Sequence, residues 1–204
     1  MQEYPSFSGH VVDTHVKVFP KYDGANVRVK WTRARGFTDF GTKRRLVEAS
    51  EPLLGQSVGL WRGKYEDAAT EILRRYGCRQ AVLFGELYGP TSFAGYFTPE
   101  EPLDVMLFDL YVQDDERMLT QSEFGRLFRG VEIAPALYEG KPSEPMRQKV
   151  KEGSLPGQTF EGVICKGDVD TRGRPVMFKI KSDAWLNRLR EQCKGDQAMF
   201  DRLA

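Results

Sequence analysis

The chain has 204 residues, 40% hydrophobic and 29% charged, with a formal net charge of +1. This is the balance of a soluble globular protein with one substantial core. Without overall basic character, a nucleic-acid partner would have to be held by a local basic groove. Three distant cysteines (Cys78, Cys165 and Cys193), no Cys-x-x-Cys pair and two histidines argue against a zinc site or a disulfide scaffold. No stretch reaches roughly eighteen apolar residues and the start lacks a signal-peptide pattern, so a cytoplasmic protein without membrane contact is expected.

In chain order, Val16 to Phe19 and Ala25 to Trp31 are rich in β-branched and aromatic residues and read as strands, with Lys21-Tyr22-Asp23-Gly24 as the turn between them. Arg28 to Arg45 gathers Lys30, Arg33, Arg35, Lys43 and Arg44 around a single acid, Asp39: a solvated face or a basic patch. The spacing of Tyr65, Ala69, Ile72, Leu73 and Tyr76 predicts a helix over 64–76, stopped by Gly77. Ala81 to Phe84 and Val105 to Val112 read as buried strands. Thr120 opens a helix, with Glu123 completing a capping box and Phe124, Leu127 and Phe128 facing inward. Residues 139–157 are rich in Pro, Gly, Lys and Glu and read as a surface excursion with at most a short helix. Strands follow at Phe160 to Lys166 and Pro175 to Lys181, the turn between them carrying Asp168-Val169-Asp170 and Thr171-Arg172-Gly173. Ser182 then caps a helix with Trp185, Leu186 and Leu189 on one side, and a break is expected at Lys194-Gly195. Strands joined mostly by loops and hairpins predict an α+β fold with antiparallel sheets, flanking helices and one domain over 1–204.

Four segments carry candidate chemistry. Lys21 to Asn26 sets an amine at a strand edge before an acidic turn; by itself the segment reads as a plain β-turn with a solvated lysine. Such an amine is useful as a nucleophile only if its pKa falls from about 10.4 toward neutrality, a change of about 4 kcal/mol. Phe84-Gly85-Glu86-Leu87-Tyr88-Gly89 ends an apolar strand with a carboxylate between glycines, suited to a ribose hydroxyl; nearby Phe108-Asp109 offers a ring that could stack on a base or simply belong to the core. In Phe160-Glu161-Gly162-Val163-Ile164-Cys165-Lys166 a glutamate sits in an apolar strand, expensive unless paired or bound to a hard cation such as Mg²⁺ or Mn²⁺. Strict alternation would put Glu161 and Lys166 on opposite faces. In Phe178-Lys179-Ile180-Lys181 two lysines share a face, which a phosphate would relieve, unless they guard a sheet edge. Residues 36–43 approach a P-loop, but the lysine and threonine are reversed.

In this order the segments resemble the covalent nucleotidyltransferases: DNA ligases, RNA ligases and capping enzymes. Within that superfamily Asn26, five positions after Lys21, and Phe84 to Gly89 resemble the nick-sealing RNA ligases. The resemblance implies ATP as substrate, Mg²⁺ or Mn²⁺ as cofactor, and a lysyl-AMP on Lys21 passed to a 5′-phosphate end and joined to a 3′-hydroxyl. It implies that Lys179 and Lys181 are catalytic at the α-phosphate, that Glu161 holds the metal, and that Glu86 and Phe108 hold ribose and adenine. Asp23, Gly24, Asn26, Lys166 and Arg44 (or its neighbour Arg45) complete the nucleotide site, which the resemblance places between two antiparallel sheets. Two features depart from the pattern. Pro20 stands where many RNA ligases have an acid, and little chain follows Lys181 where relatives carry a nucleic-acid-binding domain, so a protein partner could be required. The other readings are a small ATP-dependent DNA ligase and a non-catalytic nucleotide- or RNA-end-binding module.

Overall fold

The computed structural model describes residues 1–8, 10–90, 102–169 and 175–204. Residues 170–174, on which part of the expected turn falls, lie outside them. Among the described residues no helix is long and apolar enough to cross a membrane. The chain forms two compact units, one built mainly from residues 24–90 and 102–134 and the other from 5–23, 135–169 and 175–204.

The first unit is a five-stranded antiparallel sheet in the order β3 (Gly36–Thr42), β2 (Gly24–Thr32), β4 (Gln80–Tyr88), β5 (Asp104–Val112), β6 (Arg117–Met118). Period-two alternation sends Val27, Val29, Trp31, Leu83 and Leu87 into one core. Asn26 pairs with Glu86, and Glu86 with Met106, in a row on the opposite face. The predicted helix is longer than its sequence pattern suggests. It runs from α1 (Gln56–Trp61) through a π turn (Arg62–Glu66) into α2 (Asp67–Tyr76). Gly59 and Gly63 mask its start in the sequence. Its buried residues Trp61, Tyr65, Ala69 and Leu73 recur every four positions. In a regular α-helix each such step overshoots a full turn by about 40°; the wider π turn absorbs the excess and keeps Trp61 and Tyr65 over the sheet. Gly77 stops the helix at φ 87°, as expected, but Tyr76 is exposed rather than inward-facing.

The second unit is a four-stranded antiparallel sheet in the order β7 (Tyr138–Gly140), β1 (Val16–Pro20), β8 (Gly162–Val169), β9 (Pro175–Lys181). Residues 139–157 are not merely a surface excursion. β7 pairs with β1, and α4 (Glu144–Lys151) buries Met146 and Val150, with Leu155 beyond it, against Val16, Val18, Val163, Cys165, Phe178 and Ile180. The polar composition belongs to the outer face of α4 and concealed three buried apolar residues. After β9, Ser182 caps α5 (Asp183–Gln192) by accepting from the Trp185 N–H, and Gly195 (φ 88°) breaks the chain before α6 (Gln197–Leu203).

In the first unit α3 (Gln121–Leu127) carries the full capping box: Thr120 Oγ1 accepts from the Glu123 N–H and the Glu123 carboxylate accepts from the Thr120 N–H. Arg117 and the Thr120 N–H hold the Glu123 carboxyl down to about 2 instead of 4.5. A carboxyl depressed on folding stabilises above its ordinary range, and that contribution disappears as the pH falls from about 4.5 toward 2. Thr120→Ala should cost about 1 kcal/mol in urea unfolding at pH 7. Glu123→Gln should destabilise at pH 7 yet converge with the parent protein near pH 2.

Candidate active site

The lysine-bearing face of the second unit follows from strand register. With Val16, Val18, Val163, Cys165, Phe178 and Ile180 committed to the core, their neighbours must face the other way. Lys17 pairs with Lys166 and Lys166 with Met177, Phe19 with Ile164 and Ile164 with Lys179, and Gly162 with Lys181. The Lys21 N–H donates to the Gly162 carbonyl, continuing the ladder by one rung. Lys17, Lys21, Lys166, Lys179 and Lys181 therefore share one face. The Lys166 ammonium lies 5.1 Å from the centre of the Phe19 ring.

Glu161 is the counter-charge. Its Oε1 lies 2.8 Å from Lys21 Nζ and 3.3 Å from Lys181 Nζ, and its side chain is 4% exposed. The expectation that Glu161 and Lys166 point to opposite faces fails for a local reason. Regular pairing begins only at Gly162, which sits at φ 127°, so strand alternation does not extend to Glu161. A Cβ at Gly162 would lie 2.3 Å from the Ile180 carbonyl oxygen, which makes glycine obligatory. Thr159 Oγ1 donates to the Lys21 carbonyl and fixes the turn from below.

Electrostatics set the two β9 lysines apart from ordinary surface lysines. Burial, reinforced by the neighbouring Lys21 charge, lowers the Lys179 pKa. Burial lowers Lys181 to about 8, against the opposing pull of Glu161. For a lysine whose folded pKa falls, the unfolded chain holds more protons between about 8 and 10.5, so at neutral pH these buried charges oppose folding. Lys181 also donates to the Leu203 carbonyl at 2.7 Å and lies 3.7 Å from the centre of the Trp185 ring. Asp23 accepts from Trp185 Nε1 at 3.0 Å. Trp185 was legible in the sequence only as an apolar helix residue; its signal was its place one helical turn beyond Lys181.

The remaining expected residues belong to the first unit, Asn26 and Glu86 on the sheet face away from its core and Arg44 in the bend after β3. Asn26 and Glu86 are cross-strand neighbours, and Asn26 Oδ1 is buried without a hydrogen-bond partner among the described residues. Gly24 opens β2 so close to the Leu87 carbonyl that a Cβ would stand 2.0 Å from its oxygen. Phe108 falls at a register shift between β4 and β5, where Phe84 pairs with Asp109 and Gly85 with Leu107. The extra residue at such a bulge re-aims its side chain. Tyr4, which the sequence gave no reason to single out, packs its ring 5.1 Å from Phe84 and 5.2 Å from Phe108 and donates to the buried Asp109. Burial beside Asp109 pushes the Tyr4 hydroxyl well above its usual range. Arg44 and Arg45 are both exposed, but Arg45 is engaged by Glu51 at 2.8 Å and 2.5 Å.

These features coincide with a known family. The RNA ligase family model matches residues 14–181, and the chain belongs to that family. Among solved structures, a Lys-to-Ala variant of Naegleria gruberi RNA ligase with ATP and Mn superposes with a TM-score of 0.62 at 19% identity, covering 86% of this chain and 52% of that one. The same ligase with PPi gives 0.62 at 18%, covering 88% and 52%, and a Glu-to-Ala variant with AMP and Mn gives 0.61 at 18%, covering 86% and 52%. At such identities the likeness establishes the fold, and the chain spans about half the length of these solved relatives. No curated protein matches the sequence.

Removing the carboxylate tests the electrostatic balance of this face. Glu161→Gln removes the carboxylate that Lys21 and Lys181 both meet and should cost about 3 kcal/mol in urea unfolding. Lys181→Met placed in the same chain should recover part of that loss. Equal stability of the single variant and the parent would contradict the buried pairing.

Proposed function

We propose that this chain is the nucleotidyl-transfer domain of an ATP-dependent RNA ligase, with Lys21 as the residue that carries AMP. The observation that carries the reading is the Lys21 amine on one sheet face with Lys179, Lys181 and the buried Glu161 carboxylate. In the first transfer the Lys21 nitrogen attacks the α-phosphorus of ATP. A P–N bond forms and the bond to pyrophosphate breaks, the leaving group taking the electron pair. Before this the Lys21 ammonium must give up a proton and leave Glu161, because an amine attacks only through a free lone pair. The charges of Lys179 and Lys181 stabilise the oxygens of the reacting phosphate.

AMP then passes to a 5′-phosphate end, releasing Lys21. A 3′-hydroxyl next attacks that 5′-phosphate, forming the phosphodiester and freeing AMP. From the first unit the reading takes Glu86 for the ribose hydroxyls and Phe108 for the adenine ring. Gly24 and Asn26 serve as the close-approach and polar positions of the nucleotide site, and Arg44 and Lys166 as phosphate contacts. Asp23 keeps the nucleophile turn in place.

A Mg²⁺ or Mn²⁺ ion fits the donors present. Among the described residues no three His, Cys, Asp or Glu side chains gather into a protein-only cage. Glu161 supplies one hard carboxylate oxygen, the mode in which such cations rely on water and phosphate oxygens for their other ligands. When bound, the ion would offset phosphate charge. A nucleic-acid end is the second substrate, and the proposal includes a further protein surface, in the same chain or a partner, to hold it.

The test is incubation with ATP labelled at the α-phosphate and Mg²⁺ or Mn²⁺, with GTP alongside. The denatured chain should carry label from ATP, and Lys21→Ala should carry none. Lys179→Ala and Lys181→Ala should label at least 100-fold more slowly, roughly the loss seen when one preorganised charge-stabilising donor is removed. Folded protein that takes no label from either nucleotide would contradict the reading and favour a binding module.

A further inference from the structure

Trp185 touches two of the groups assigned to the chemistry and has no role in the reaction itself. Its position is built in from three directions. Ser182, 1% exposed, accepts the Trp185 N–H at 3.1 Å and donates its own hydroxyl to the Phe160 carbonyl at 2.6 Å, tying the start of α5 to the segment that presents Glu161. The indole, 3% exposed, packs with Leu189 and Cys193. Its N–H donates to Asp23 Oδ2 at 3.0 Å, and its ring face lies 3.7 Å from the Lys181 ammonium. Lys181 reaches Glu161, and Glu161 reaches Lys21, two residues before Asp23. The contacts therefore close a ring: Asp23, Trp185, Lys181, Glu161, Lys21 and back along the turn to Asp23. A side chain needed only to fill the core of α5 would require neither the indole N–H nor the ring face turned to a cation.

We propose that Trp185 is a positioning residue that holds the nucleophile turn, through Asp23, in fixed register with the charge of Lys181. A hydrogen bond to a charged acceptor sets the turn, and a cation over the indole face sets the lysine. No flexible side chain could serve both with one rigid body. The inference rests on the nucleotidyl-transfer reading for its kinetic consequence and on geometry alone for the contact.

Two measurements separate these. The chain has three tryptophans. The indole N–H of Trp31 donates to the Thr70 hydroxyl and that of Trp61 has no partner among the described residues, so only Trp185 donates to a carboxylate. In ¹⁵N-labelled protein, Trp185→Phe identifies the Trp185 indole signal by its loss. Asp23→Ala should then move that signal while leaving the Trp31 signal in place. In single-turnover labelling at saturating ATP, Trp185→Phe should slow lysyl-AMP formation about tenfold with little change in the ATP concentration required. It should add almost nothing in an Asp23→Ala background. Trp185→Leu, which also removes the ring face, should be slower than Trp185→Phe; if it does not fold, the phenylalanine variant still decides. An indole signal indifferent to Asp23→Ala, parental speed for Trp185→Phe, or rate losses that multiply in the double variant would each overturn the proposal. If the parent protein takes no label at all, the activity reading falls, and the indole signal still judges the contact.

Discussion

A single buried carboxylate holds the charged face of the second unit together. Glu161 meets Lys21 and Lys181 within 3.3 Å, and the burial that makes this attraction strong also makes each charge costly. An unopposed lysine cluster at this depth would not be tolerated. A fully neutralised one would have no field left for a phosphate. The arrangement lies between these limits, with Lys179 and Lys181 both losing proton affinity to burial despite the nearby acid. This residual positive charge is what the proposed phosphate contact would use.

The fold supplies this face through simple means. Three neighbouring antiparallel strands give their apolar alternates to one core, and α4 covers them. The other alternates, mostly lysines, then face the same way without any further design. Gly162 is the exception to this alternation. Its positive φ ends the regular strand and lets Glu161 turn toward the lysines that alternation would have kept apart. Helix α5, started by Ser182, brings Trp185 back to the same group of side chains.

Much of this was legible in the sequence, for identifiable reasons. Lys179 and Lys181 share a face because two residues separate like faces of a strand, and that rule held. Thr120 and Glu123 declared their capping box by spacing alone. Where reading failed, the information was not local. The direction of Glu161 depends on the torsion of the following glycine, and the polar stretch that contains α4 hides Met146, Val150 and Leu155. The helix before Lys64 is interrupted by two glycines and a π turn, so its apolar positions step by four rather than by the mixed three and four that announce a helix. Tyr4 and Trp185 gain their importance from partners at 105 and 162 positions' separation, Asp109 and Asp23.

The central claim is that, of five lysines on one sheet face, Lys21 alone takes the nucleotide. Peptide mapping by mass spectrometry after incubation with ATP and Mg²⁺ tests it most directly, because it identifies the modified side chain without relying on any substitution. The account predicts an adenylate on the peptide containing Lys21, with Lys17, Lys166, Lys179 and Lys181 unmodified. An adenylate on Lys179 or Lys181 would contradict it, since it would make the supposed phosphate-stabilising charge the nucleophile.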